Sequence, residues 1–147
     1  MASRTAVLSK NAPAPSPLMS QAIICNGMVY CSGSLGTDPA TDKFVEGDTS
    51  ARAAQALRNL DAVLQAAGTS LKNAVKITIF LSSMDYYAKV NEAYAQFFTE
   101  DPKPVRIQVC KAGMIATNRL CKARTCVCVA ALPLGAELEV EAIASLS

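Results

Sequence analysis

Apolar and polar positions alternate in short bursts along this chain, and twice the period lengthens to that of a helix. Ala22-Ile23-Ile24-Cys25 and Met28-Val29-Tyr30-Cys31 flank Asn26-Gly27, which predicts two antiparallel strands joined by a type I′ turn. From residue 32 to 49, Gly33, Gly36, Pro39 and Gly47 break the pattern into loop. Ala53, Leu57, Leu60, Leu64 and Ala67 then recur at helical spacing, with Asp48 or Thr49 as cap and Gly68 as stop. Residues 75–81 alternate again and are β-branched, as a strand requires. Asp85 opens a second helix with Val90, Tyr94 and Phe97 on its inner side, and Pro102 and Pro104 mark its end.

Two further alternating runs close the chain. Residues 124–129 and 137–144 flank the Pro/Gly break at Pro133-Leu134-Gly135, which reads as an antiparallel hairpin. Alternation puts Arg124, Cys126 and Cys128 on one face of the first run, and Glu137, Glu139 and Glu141 on one face of the second. A guanidinium and a row of carboxylates on paired strands are the parts of a small site for a carboxylate substrate. Register decides whether they meet: pairing Cys128 with Glu139 puts Arg124 and Glu139 on one face, and a slip of one residue separates them.

The predicted order is ββαβαββ, an α+β two-layer sandwich with a mixed sheet and two helices on one face. The other face of the sheet then needs a cover, and its β-branched residues point to a partner subunit.

Composition narrows the chemistry. At 147 residues the chain is one domain with room for a core. A charge of +2, from 14 basic and 12 acidic residues, is too balanced for an electrostatic nucleic-acid binder. No apolar run approaches the roughly 20 residues of a membrane helix, and no apolar signal core opens the chain. The absence of His excludes a Ser-His-Asp triad and imidazole metal ligation. The 6 Cys include no Cys-x-x-Cys, so reduced thiols without metal are expected. A cytoplasmic location follows as the expectation. Arg4 and Lys10, with no acid before Asp38, make the mitochondrion the alternative.

Ser20-Gln21-Ala22-Ile23, Cys31-Ser32-Gly33, Asp38-Pro39, Leu64-Gln65-Ala66-Ala67-Gly68, Asn91-Glu92-Ala93-Tyr94 and the closing block Arg124-Thr125-Cys126-Val127 through Glu139-Val140-Glu141-Ala142-Ile143-Ala144 occur in a telling order. Together they resemble the RidA/YjgF/UK114 family, the reactive-intermediate (imine) deaminases once called L-PSP ribonucleases. The resemblance runs from about Asn11 to Ala144, leaving residues 1–10 as an N-terminal extension to a single domain over 11–147. It implies a chorismate-mutase-like fold and a homotrimer with clefts between subunits. It also implies a cofactor-free deaminase that hydrolyses 2-imino or enamine acids to 2-keto acids and ammonia.

The resemblance is interrupted once. Lys103-Pro104 is followed by 18 residues, 105–122, before Ala123-Arg124-Thr125-Cys126-Val127 resumes. Ile107, Val109, Cys110, Met114, Ile115, Leu120 and Cys121 make this segment odd for a solvated loop. Val105-Arg106 is encodable by bases beginning GT, Thr117-Asn118 by CTAAC, and Lys122 by a codon ending AG. Two accounts stand side by side: a retained intron, which these signals favour, and a genuine insertion between helix and strand.

Hydrolysis of a 2-imino acid needs a directional cation for the carboxylate, and a bidentate Arg serves better than Lys. Arg124 is the candidate, against a plain salt bridge as the alternative. It also needs water activated by a carboxylate whose pKa burial has raised. The resemblance assigns that role to Glu139, whose alternative is a solvated strand face. It places Cys126, Ser32, Gly33 and Asn91 around the substrate; turn chemistry at Ser32-Gly33 and a backbone contact for Asn91 are the competing roles. Cys126 has no base to make it a nucleophile, so a pocket-lining role is expected. Met19 stands where many active relatives carry Tyr, and Ser34 where many carry Gln. The lost phenol predicts altered substrate preference or weak activity. Besides the deaminase, two readings remain: a non-catalytic trimer binding a small 2-imino or 2-keto carboxylate, and, against the charge balance, a ribonuclease or translation inhibitor.

Overall fold

A computed structural model of the chain describes residues 3–99 and 123–146. Eight elements of more than one turn follow in order: β1 (Arg4–Val7), β2 (Ala22–Cys25), β3 (Met28–Cys31), α1 (Thr49–Ala66), β4 (Ala74–Leu81), α2 (Tyr87–Phe97), β5 (Ala123–Cys128) and β6 (Leu138–Ser145). The strands form one mixed sheet in the order β1-β2-β3-β6-β4-β5, in which β4 and β5 alone run parallel. Two helices on such a sheet give the α+β architecture expected. One strand was not expected: Arg4–Val7 pairs with β2 at the sheet's edge, so the order is βββαβαββ. The segment 105–122 lies outside the described residues.

Local chemistry accounts for the elements. Asn26 and Gly27 adopt φ of 50° and 72°, the left-handed pair that a type I′ turn demands. Asp48 caps α1, its Oδ1 accepting from the Ala51 amide at 3.2 Å. Leu57, Leu60 and Leu64 bury one stripe of α1 against the sheet, with Val29, Ile77, Ile79, Leu81, Leu138 and Val140 facing them. β6 alternates buried and half-buried along its whole length, because its even positions face the helices.

The expected C-terminal hairpin does not form. β5 never touches β6; β4 lies between them, pairing parallel with β5 and antiparallel with β6. The reason is hydrogen-bond accounting. In the sheet's interior β6 satisfies both of its edges, against β3 and β4, whereas a hairpin with β5 would satisfy one. The Pro133–Gly135 break is then one turn of 3₁₀ helix inside a longer crossover, with Leu134 at a φ of 58°.

The face of the sheet away from the helices carries Ile23, Tyr30 and Ile143 in one cross-strand row and Glu139, Phe80 and Val127 in another. Tyr30 is 46% exposed and Val127 40%. Nothing in the described residues covers them.

Candidate active site

Arg124 pairs in register with Ile77, so its side chain projects to the helix side of the sheet. There it meets α2. Tyr87, Asn91 and Tyr94 fall at helical positions i, i+4 and i+7, one stripe along that helix. The Arg124 Nη1 donates to Asn91 Oδ1 at 2.7 Å. Its Cζ lies 4.3 Å from the centroid of the Tyr94 ring and 6.0 Å from that of Tyr87. A desolvated guanidinium on an aromatic face gains about 2 kcal/mol.

What Arg124 lacks is as informative. It is 8% exposed, yet no carboxylate pairs with it among the described residues. Among the described residues its Nε and Nη2 are buried without a hydrogen-bond partner, as is the Tyr94 hydroxyl. Buried charge without a partner is costly. Burial pushes the Tyr94 phenol up to about 12, with the Arg124 charge acting the other way. It also raises the half-buried Cys126 thiol, again opposed by Arg124, so this sulfur is a poor nucleophile at neutral pH.

Glu139 occupies the opposite face. It pairs with Phe80 on β4, one position out of phase with the Ile77-to-Arg124 row. Arg124 and Glu139 therefore do not meet within one chain, and the same-face register is corrected: β4 intervenes and sets the phase. Glu139 is half-buried, and its carboxyl is held above the usual 4.5 by burial first and then by the charge of Glu141. It lies against Gly33 so closely that a Cβ there would overlap the carboxylate. Glu137 is not part of that row. It precedes β6 and forms a 2.7 Å ion pair with Arg52, whose guanidinium sits over Phe44.

The remaining candidates divide between these two places. Asn91 and Cys126 lie with Arg124. Met19, Ser32 and Gly33 line a cavity of about 420 Å³, walled also by Leu35, Leu60 and Val63. The Ser32 hydroxyl donates to the Ser20 carbonyl at 2.7 Å, so its proton is already used. Asn91 holds Arg124 rather than the backbone. Sequence reasoning missed Tyr94 as the platform for Arg124, although its position three residues after Asn91 was the available signal. Among the described residues no group of three or more Cys, Asp or Glu side chains is placed to hold a metal ion.

Residues 9–146 match the sequence profile of the family described as endoribonuclease L-PSP. The chain belongs to that family. The rat 2-iminobutanoate/2-iminopropanoate deaminase is 34% identical over 141 residues, 96% of this chain and 89% of the rat protein. Among solved structures, yeast Mmf1 superposes with a TM-score of 0.82 at 34% identity, covering 99% of this chain and all of that one. The Escherichia coli protein TdcF, solved with bound serine, gives 0.78 at 30% identity, covering 97% and 99%. This L-PSP chain thus shares its fold with Mmf1 and TdcF, and aligns over most of its length with a rat protein named as an imine deaminase.

Proposed function

We propose that this L-PSP chain is a cofactor-free deaminase that hydrolyses reactive 2-imino and enamine acids. The reaction is R–C(=NH)–COO⁻ + H₂O → R–CO–COO⁻ + NH₃. One observation carries it: a buried guanidinium, held by Asn91 and Tyr94, whose Nε and Nη2 have no hydrogen-bond partner and no carboxylate beside them among the described residues. That is a receptor for a planar carboxylate. The relatives named as deaminases support the same reading, and the serine bound to TdcF shows a small amino acid held by a homologue.

Glu139 then takes the proton of the attacking water and returns it to the departing nitrogen. Its raised pKa keeps both forms accessible nearer neutrality. Because one chain sets Arg124 and Glu139 on opposite faces, we assign them to different copies of a homotrimer. The uncovered face with Tyr30, Phe80, Val127 and Ile143 supplies the contact surface. The test is hydrolysis of 2-iminobutanoate generated in situ from the amino acid by an oxidase. Acceleration that vanishes in Arg124→Ala supports the assignment; equal rates in both proteins contradict it.

One observation favours a second reading, a binding module without turnover. Met19 stands 57% exposed at the cavity, where the family resemblance implies a Tyr, and a thioether there offers no hydroxyl to water or substrate. Saturable binding of 2-oxobutanoate through Arg124 with no imine hydrolysis would establish it.

A further inference from the structure

The extension of β3 toward Glu139 carries one residue too many. Strands β3 and β6 pair Tyr30 with Ile143, and an unbroken register beyond them would set Gly33 opposite Val140. The residue found there is Ser34, which donates to the Val140 carbonyl at 2.9 Å and accepts from its amide at 3.0 Å. The stretch from Cys31 to Gly33 is therefore a β-bulge, a device that re-aims the chain beside it. Here it sets Gly33 against the Glu139 carboxylate.

An isolated bridge at the end of a ladder frays unless the chain beyond it is fixed. The next carbonyls show what fixes it. That of Gly36 accepts from the Val45 amide at 3.0 Å. Those of Leu35 and Thr37 accept from Asn59 Nδ2 on α1, at 3.2 and 2.8 Å. Gln55, one turn earlier on the helix, donates to Asn59 Oδ1 at 2.9 Å and so turns both amide hydrogens toward the loop. Asn59 is 2% exposed, and a buried amide with its donors spent is a strong, directional tie. Gly36 lets the loop lie close on α1: a Cβ there would stand 2.5 Å from the Arg52 carbonyl oxygen.

We propose that Asn59 is a positioning residue for the reaction, holding the bulged segment from α1 and thereby the Gly33 backbone against Glu139. The proposal rests on the deaminase reading, in which Glu139 is the base. Asn59 itself acts at a distance, through carbonyls two and four residues beyond Gly33. Without its donors the bulge relaxes, Gly33 withdraws and water reaches the carboxylate. A misplacement of about 1 Å costs up to about 10²-fold in rate. The loss falls on kcat, because the carboxylate of the substrate is held by the guanidinium of Arg124.

The experiment makes two measurements on the full chain, as wild type, Asn59→Ala and Gln55→Ala. One is kcat and KM for 2-iminobutanoate generated in situ. The other is titration of the Glu139 carboxyl by carbon-13 NMR, assigned with Glu139→Gln. Gln55 is half-buried and Ala suits a helix, so its variant folds even where the buried Asn59→Ala fails. Both substitutions are neutral, and the groups beside the carboxyl (Gly33, Phe80 and Glu141) stay in the chain. The expected result is a Glu139 titration moved toward 4.5 as burial loosens, with kcat down about tenfold or more in Asn59→Ala, less in Gln55→Ala, and KM little changed. A titration or a kcat unchanged in the folded variants would overturn the proposal, whatever Tm does. If the wild type hydrolyses no imine, the deaminase reading falls and the titration alone decides. A shift toward 4.5 then sustains the hold of Asn59 on the Glu139 site, and no shift refutes it.

Discussion

Arg124 and Glu139 lie on strands that never touch, on opposite faces of one sheet, with β4 between them. Neither is paired with an opposite charge among the described residues. On the proposed deaminase reading, a substrate that uses both spans two copies of the chain. This has a direct consequence for mixed oligomers. Arg124→Ala and Glu139→Gln should each be inactive alone, and refolding them together should restore up to about a quarter of the wild-type sites. A steady-state assay on the mixture checks this; silence would place both groups in one subunit's site.

Glu139 should give a pH signature in activity and in stability. As a base it works when ionised, so activity should rise with pH through its elevated pKa, and Glu139→Gln should lose that limb and about 10²–10⁴-fold in rate. For stability the sign is opposite. Its folded pKa is raised above 4.5, so the folded state binds the proton more tightly than the unfolded state. The associated stability is present below 4.5 and is lost as pH rises through the folded value. Glu139→Gln should therefore melt higher than wild type above that pKa, with the gap closing below 4.5. Melting curves across pH 3.5–8 read this directly.

Gly33 tests how closely the carboxylate is held. A methyl group there would meet the Glu139 side chain, from Oε1 back to Cγ, rather than backbone. Gly33→Ala should change Tm little and lower kcat strongly. A large loss of Tm with kcat intact would show that the contact serves packing alone.

Asn91 divides charge from geometry. Asn91→Ala removes a hydrogen bond to a charged group, worth about 1.5–3 kcal/mol, and frees the guanidinium to rotate. Asn91→Asp should instead stabilise the fold and weaken carboxylate binding, because it places a competing anion 2.7 Å from Nη1. Calorimetry with 2-oxobutanoate, alongside thermal melts, separates these outcomes.

Much of the fold was legible because its signals are local. Asn26-Gly27, the Asp48 cap and the Leu57–Leu60–Leu64 stripe each specify structure within a few residues, and each formed. The place of β6 was not legible. Its pairing with β3 and β4 joins segments far apart in sequence, and nothing between residues 129 and 137 announces that the chain crosses β4. β1 was missed because Arg4-Thr5-Ala6-Val7 is short and barely alternates. The site divides in the same way. Arg124, Glu139, Met19 and Gly33 were visible as residue types in a recurrent order. The opposite-face geometry and the Tyr94 platform depend on the phase that β4 imposes and on the packing of α2.

The most direct measurement is the rate of 2-iminobutanoate hydrolysis by the full chain and by Arg124→Ala, each against buffer. The predicted result is clear acceleration by the wild type and none by the variant, with both proteins equally folded. Equal acceleration by the two would remove Arg124 from the chemistry. Acceleration by neither would contradict the deaminase outright.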